Sequence, residues 1–220
     1  MTPLFLHAFP FDGRMWKEQV ERFGGVAPTL YGAAPSLEEW GKAALERIEG
    51  DVALVGSSMG GYVALAAARV APERVKALVL VGSRADADSP DRRDAREETI
   101  RLLREQGIAP VWAQLRDRLF SPQTAPDVVE VAEAIVRGQS IDDLVRATEA
   151  MRDRADSTDV LRQFDGRLLV VVGDEDPFVG PDHFEPLVPP ESLHVVPGGG
   201  HLLGMERPQL LNGLLEEVLV

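Results

Sequence analysis

Val52-Ala53-Leu54-Val55-Gly56-Ser57-Ser58-Met59-Gly60-Gly61-Tyr62 carries an apolar run into a glycine-flanked serine and on into a small-residue run that extends to Val70. The first four residues read as a buried strand, and the alanine-rich run from Tyr62 reads as a helix. Between them Gly56-x-Ser58-x-Gly60 is a G-x-S-x-G pentapeptide in strand-turn-helix context. A strand that reverses sharply into a helix holds its apex residue in strained geometry and lifts the side chain clear, while flanking glycines tolerate the close approach. The apex is Ser58 and not Ser57, because the residue two before Ser57 is Val55. A helix starting just after Ser58 also offers unpaired N–H groups and the positive end of its dipole, which favour a developing oxyanion.

Outward from this stretch, short apolar runs at Leu4–His7, Gly25–Ala27, Ala77–Val81, Leu168–Val172 and Leu193–Val196 alternate with helical patterns. Near-continuous apolar strands separated by helices predict a parallel sheet covered on both faces. Ser36 followed by Glu39 is a capping box opening a helix through Ile48, and Pro208 opens the last helix, with Leu210, Leu211, Leu214, Leu215 and Val218 as its stripe. Between Gly82 and Gly166 the strand rhythm gives way to amphipathic helical patterns, broken at Gly107–Pro110, Ser121-Pro122 and Gly138. This divides the chain into a core, residues 1–83 and 165–220, and a helical lid insertion, residues 84–164, over the carboxyl edge of the sheet, where α/β folds place their sites.

Composition narrows the chemistry. With 220 residues, 45% of them hydrophobic, the chain can bury a substantial core. A net charge of −13 argues against nucleic-acid binding and against anionic membrane surfaces, both of which need clustered Lys and Arg. The absence of cysteine excludes disulfides, thiolate metal sites and a Cys nucleophile. No stretch approaches the ~18 apolar residues of a membrane span, and the N-terminus lacks the basic and apolar regions of a leader, so a cytoplasmic location is expected.

A serine hydroxyl needs a base, and the base an orienting carboxylate. Of the four histidines, His201 follows Val195-Val196-Pro197-Gly198-Gly199-Gly200, a strand end leading into a flexible loop, as a base reaching over a sheet edge requires. His194 lies within a strand, His183 in a Pro-rich loop, and His7 ends the first strand. The strand Leu168–Val172 runs into Gly173-Asp174-Glu175-Asp176-Pro177, where three acids compete for the carboxylate role. No second ligand group accompanies these acids at metal-site spacing, so neither a metal nor any other cofactor is expected.

Gly56 through Tyr62, followed by Pro72-Glu73-Arg74-Val75 and Leu78-Val79-Leu80, resembles the α/β-hydrolase superfamily. The similarity is to its cofactor-free branch of esterases like 3-oxoadipate enol-lactonase. Gly173 through Pro177 and Gly198-Gly199-Gly200-His201 with Glu206-Arg207-Pro208 carry the same resemblance, which is weakest in the insertion. It implies an α/β-hydrolase fold with a mostly parallel sheet of about six strands and a helical lid, since the chain opens on what resembles the family's third strand. It places the acid on Asp176, with Asp174 second. His7-Ala8-Phe9-Pro10 resembles the family's His-Gly-x-Pro oxyanion loop, which makes the backbone N–H groups of Phe9 and Met59 the implied donors and His7 a loop anchor. Ala8 stands where Gly is usual, and Ala27 to Ser36 resembles another family stretch with Thr29 for Asp and Ala34 for Gly.

The function implied is that of a carboxylic ester hydrolase acting on a small ester or lactone through Ser58, His201 and Asp176. A triad-bearing ligand receptor with slow turnover, a C–C bond hydrolase and a perhydrolase are the alternatives. Phe9, Met59, Trp112, Phe120, Phe178 and Leu202 are candidate pocket walls. Arg92, Arg93, Arg96, Arg116 and Arg118 either meet a carboxylate-bearing substrate or pair with neighbouring Asp91, Asp94, Glu97, Glu98 and Asp117 as a solvated helix face.

Overall fold

The computed structural model describes residues 1–31 and 36–220. Five strands, β1 (Thr2–Leu6), β2 (Val52–Ser57), β3 (Val75–Val81), β4 (Arg167–Gly173) and β5 (Leu193–Val196), pair side by side in chain order, every pair parallel. The expected strand at Gly25–Ala27 is a single parallel bridge: Val26 donates to Pro3 O at 3.0 Å and accepts from Phe5 N at 2.8 Å. Gly24 and Gly25, both at positive φ, turn the chain there, and an added Cβ on Gly25 would lie 2.3 Å from Pro3 O. Among the described residues the sheet therefore has five strands and one bridge, not six strands.

Side chains alternate between two apolar layers, as a parallel sheet buried on both faces requires. Leu4, Leu6, Leu54, Leu78, Leu80, Val170 and Val172 pack on one side. Their neighbours are α2 (Leu37–Leu45) and α3 (Met59–Val70). Phe5, Ala53, Val55, Val79, Val81 and Val171 face the opposite layer, with Leu211, Leu215 and Val218 of α10 (Pro208–Leu219). Leu210 of the predicted stripe is exposed. The Ser36 hydroxyl caps α2 by accepting from Glu39 N at 3.3 Å, and the helix proper ends at Leu45 rather than Ile48. Small residues let α2 and α3 touch: a Cβ on Gly41 would stand 3.0 Å from Ala67 Cα.

From residue 84 to 164 the chain contains no strand. Five helices occupy this stretch, α4 (Pro90–Gln106), α5 (Ile108–Leu119), α6 (Pro126–Arg137), α7 (Ile141–Arg152) and α8 (Thr158–Gln163). Gly107 separates α4 from α5 at φ 78°. Ile100 and Leu103 of α4 join Leu144 and Met151 of α7 in the first apolar layer, while Trp112 of α5 and Ile135 of α6 join the second. Among the described residues no helix is long and apolar enough to cross a membrane. Because all strands run parallel, the segments after Leu6, Ser57, Val81, Gly173 and Val196 emerge at one edge, beside these helices.

Candidate active site

Ser58 is the only described non-glycine residue with positive φ, at φ 49° and ψ −114°. Such a conformation costs of order 1–3 kcal/mol and needs surrounding structure to hold it. Its N–H donates to Val81 O at 3.0 Å, and its carbonyl accepts from the Ser83 hydroxyl at 2.8 Å and from Gly61 N at 2.9 Å. The motif's glycines make the turn possible. An added Cβ would sit 2.4 Å from Gly60 O at Gly56, 2.0 Å from Leu6 O at Gly60, and 2.2 Å from the Ser83 hydroxyl at Gly61.

His201 and Ser58 line one cleft. His201 Nδ1 lies 2.7 Å from Asp176 Oδ2, with the carboxylate fully buried. A carboxylate accepts, so Nδ1 carries the proton and Nε2 is left as the acceptor. The other Asp176 oxygen accepts from Phe178 N at 2.8 Å and Val179 N at 3.4 Å. The three competing acids separate cleanly, for Asp174 accepts from Gly198 N at 2.7 Å and Glu175 from the Ser121 hydroxyl at 2.6 Å. Gly82, at φ 53°, lies against the pair: a Cβ there would come 2.7 Å from His201 O and 3.3 Å from Asp176 Oδ2.

Glu206 fastens the loop that carries His201. Its carboxylate accepts from Gly200 N at 3.3 Å and Leu202 N at 2.9 Å, on either side of His201, and from Ser121 N and the Thr124 hydroxyl, both at 2.8 Å, beyond α5. His201 N itself donates to Leu119 O at 3.1 Å. Sequence reasoning did not assign this work to Glu206. The signal was its spacing from His201 within the glycine-rich loop and the helix that follows.

The remaining histidines are held as anchors. His7 Nδ1 donates to Ala8 O at 3.0 Å and Nε2 accepts from Leu30 N at 2.9 Å, which fixes the loop Ala8-Phe9-Pro10. Burial lowers the pKa of His7 to about 4, against smaller upward contributions from its bond to Ala8 and from Asp12. Ala8 has no positive φ, so the loop takes a shape open to alanine. Phe9 lines the cleft, and Met59 is the first residue of α3, where N–H groups have no helical partner. His183 accepts from Ala85 N at 3.1 Å and contacts Arg84, and burial, with help from that guanidinium, lowers its pKa. His194 lies in β5.

The cleft is narrow, with about 70 Å³ open, and its apolar walls are Phe9, Tyr62, Leu115, Leu119, Met151, Phe178 and Val179. Of the expected pocket walls Phe9 and Phe178 line it, and Met59 lies in the first apolar layer. The Phe178 ring meets His201 at 4.7 Å between centroids and carries the Arg118 guanidinium 4.5 Å from its own. Trp112, Phe120 and Leu202 belong instead to the second apolar layer. Of the insertion arginines, Arg92, Arg93 and Arg116 pair with Asp86, Asp153 and Asp117, whereas Arg96 lines the cleft. Arg84, not expected at the site, lines it as well. A larger concavity of about 890 Å³ lies between Arg14, Val20 and Ile135 and contains none of the candidate residues. Among the described residues no group of three acid, His or Cys side chains is arranged to hold a metal ion.

A parallel sheet whose second strand breaks into a helix at a strained serine, with a buried His–Asp pair at the same edge, defines an α/β protein of the nucleophile-elbow class. The chain belongs to the alpha/beta hydrolase family, whose model matches residues 4–214. A solved thermophilic esterase from Thermogutta terrifontis, with malate bound, is 30% identical at a TM-score of 0.86, covering 99% of this chain and 89% of that one. The 3-oxoadipate enol-lactonase 2 of Acinetobacter baylyi is 28% identical over 171 residues, 74% of this chain and 62% of the relative. The dihydrolipoyllysine-residue acetyltransferase component of the acetoin cleaving system of Cupriavidus necator is 27% identical over 99% of this chain and 63% of its own length. The chain thus spans less than two thirds of either curated relative.

Proposed function

We propose that this protein is a serine hydrolase that cleaves a small carboxylic ester or lactone through an acyl-enzyme. Ser58 Oγ attacks the carbonyl carbon as its proton passes to His201 Nε2, and Asp176 holds the imidazole in the tautomer that can receive it. The oxyanion accepts hydrogen bonds from the Phe9 and Met59 amides. As the tetrahedral intermediate collapses, His201 returns the proton to the leaving oxygen. Water then adds to the acyl-Ser58 carbonyl by the same route and releases the acid. The helices of residues 84–164 serve as the lid that bounds the acyl pocket, and its narrowness favours short acyl chains.

The observation that carries this reading is the buried 2.7 Å contact between His201 Nδ1 and Asp176 Oδ2, beside a cleft shared with strained Ser58. Kinship with a thermophilic esterase at 30% identity supports it. A fluorophosphonate should label wild-type protein and leave Ser58→Ala unlabelled, and a screen over short acyl esters and lactones should return multiple turnovers. Labelling that survives Ser58→Ala would overturn the assignment of the nucleophile.

A further inference from the structure

The cleft wall contradicts the charge of the chain. Acids outnumber Lys and Arg by 36 to 23, yet the described residues lining the cleft include two arginines, Arg84 and Arg96, and no carboxylate. Both arginines belong to one cluster. Asp88, its side chain fully buried, is shared by Arg92, Arg96 and Arg154 at 3.3, 3.2 and 2.6 Å. Asp86 pairs with Arg84 at 2.8 Å and Arg92 at 2.6 Å. Burial pushes the Asp86 carboxyl up, but the hydrogen bonds and charges of Arg84 and Arg92 outweigh that and hold it well below the usual carboxylate range. Asp182 acts on Arg84 and Asp156 on Asp86 through space, and His183 beside Arg84 has a lowered pKa. Four guanidiniums thus meet two carboxylates in direct contact.

The arginines differ in what they have left to give. Arg84 is committed, with Nε and Nη2 on Asp86, Nη2 also near His183, and Nη1 toward Phe178 O. Arg154 is buried over the Tyr62 ring and bonds Asp86 O and Met151 O. Among the described residues Arg96 is hydrogen-bonded only through Nε, to Asp88, which fixes the guanidinium and leaves Nη1 and Nη2 without a hydrogen-bond partner there. A planar fork with two unused donors, held at the wall of a narrow apolar cleft, matches a carboxylate.

On the strength of the hydrolase reading, we infer that the Nη groups of Arg96 form a carboxylate-binding subsite and that the substrates are half-esters of short dicarboxylic acids. The ester carbonyl lies at Ser58 and the free carboxylate on Arg96, with Arg84 adding positive potential. Tyr62, Leu115 and Met151 bound the methylenes between them.

The test compares 4-nitrophenyl half-esters of succinate, glutarate and adipate with neutral 4-nitrophenyl esters of equal chain length, in wild type, Arg96→Gln and Arg96→Lys. Wild type should favour at least one half-ester in kcat/KM. Loss of a charge-assisted contact should lower the half-ester to neutral-ester ratio about tenfold to a hundredfold in Arg96→Gln, chiefly through KM, with part of it restored in Arg96→Lys. A wild type that prefers every neutral ester, or a ratio unmoved by Arg96→Gln, overturns the inference. If neither ester class turns over, the hydrolase reading fails, and calorimetric titration of glutarate still decides the subsite. Binding that weakens about tenfold in Arg96→Gln upholds it, and equal binding or none overturns it.

Discussion

The two walls of the cleft are built on different principles. On the sheet side, side chains act on main chain: glycines that admit no Cβ and main-chain hydrogen bonds set the path at Ser58 and His201, while the His7 ring and the Glu206 carboxylate fasten backbone groups around Phe9 and His201. On the helical side, between residues 84 and 164, side chains pair with one another, Asp86 and Asp88 gathering Arg84, Arg92, Arg96 and Arg154. Backbone geometry tolerates almost no substitution and so suits the atoms that react. Side-chain wiring can be rearranged one residue at a time and so suits the choice of substrate.

The sharpest break on the sheet side is Ser58→Ala, which should reduce turnover on the order of 10⁴-fold or more while the thermal midpoint holds or rises, because strain at the apex falls on an unreactive residue. Asp176→Asn should follow, with a loss on the order of 10⁴-fold from the wrong imidazole tautomer, while Asp174→Asn keeps most of the rate. Parallel kinetics on the two variants check the distinction. On the helical side Asp88→Ala should cost about 3–5 kcal/mol in urea unfolding, because it strands the buried Arg154 guanidinium. Equal damage from Arg101→Ala, whose partners Glu98 and Glu105 are solvent-exposed, would erase the contrast, and its melting curve should match wild type.

His7 links the sheet-side loop to pH. Its folded pKa of about 4 lies below the ordinary value of 6.5, so the unfolded chain binds the proton first as pH falls. Stability from this group is complete above about pH 6.5 and drains away toward pH 4, by about 3 kcal/mol over the window. Urea midpoints from pH 7 to 4.5 should fall more steeply for wild type than for His7→Gln.

The same contrast explains what sequence could tell. Ser58 and the strands around it were legible because apolar runs and glycine punctuation are local signals. Asp176 was legible only through family resemblance, since Asp174 and Asp176 sit two residues apart and pattern alone leaves both open. Gly25–Ala27 misled because its one β-branched residue, Val26, is enough for a bridge but not for a strand. In the insertion, amphipathic patterning marked helices but not what each apolar residue of α5 meets: Leu115 and Leu119 line the cleft as well as packing on the second layer, while Trp112 enters that layer without reaching the cleft. That difference depends on how α5 docks, which is tertiary information, and Arg84 escaped notice for the same reason.

Glu206 holds four donors from two parts of the chain, which the hydrogen bond from His201 N to Leu119 O also joins. The clamp makes the helical side a mechanical interlock for the proposed base: helices that lift from the sheet take Ser121 and Thr124 away, and the loop around His201 slackens at the same moment. Heating should therefore silence the protein before it unfolds it, with catalytic loss leading the loss of sheet ellipticity, and Glu206→Ala should widen that gap in temperature.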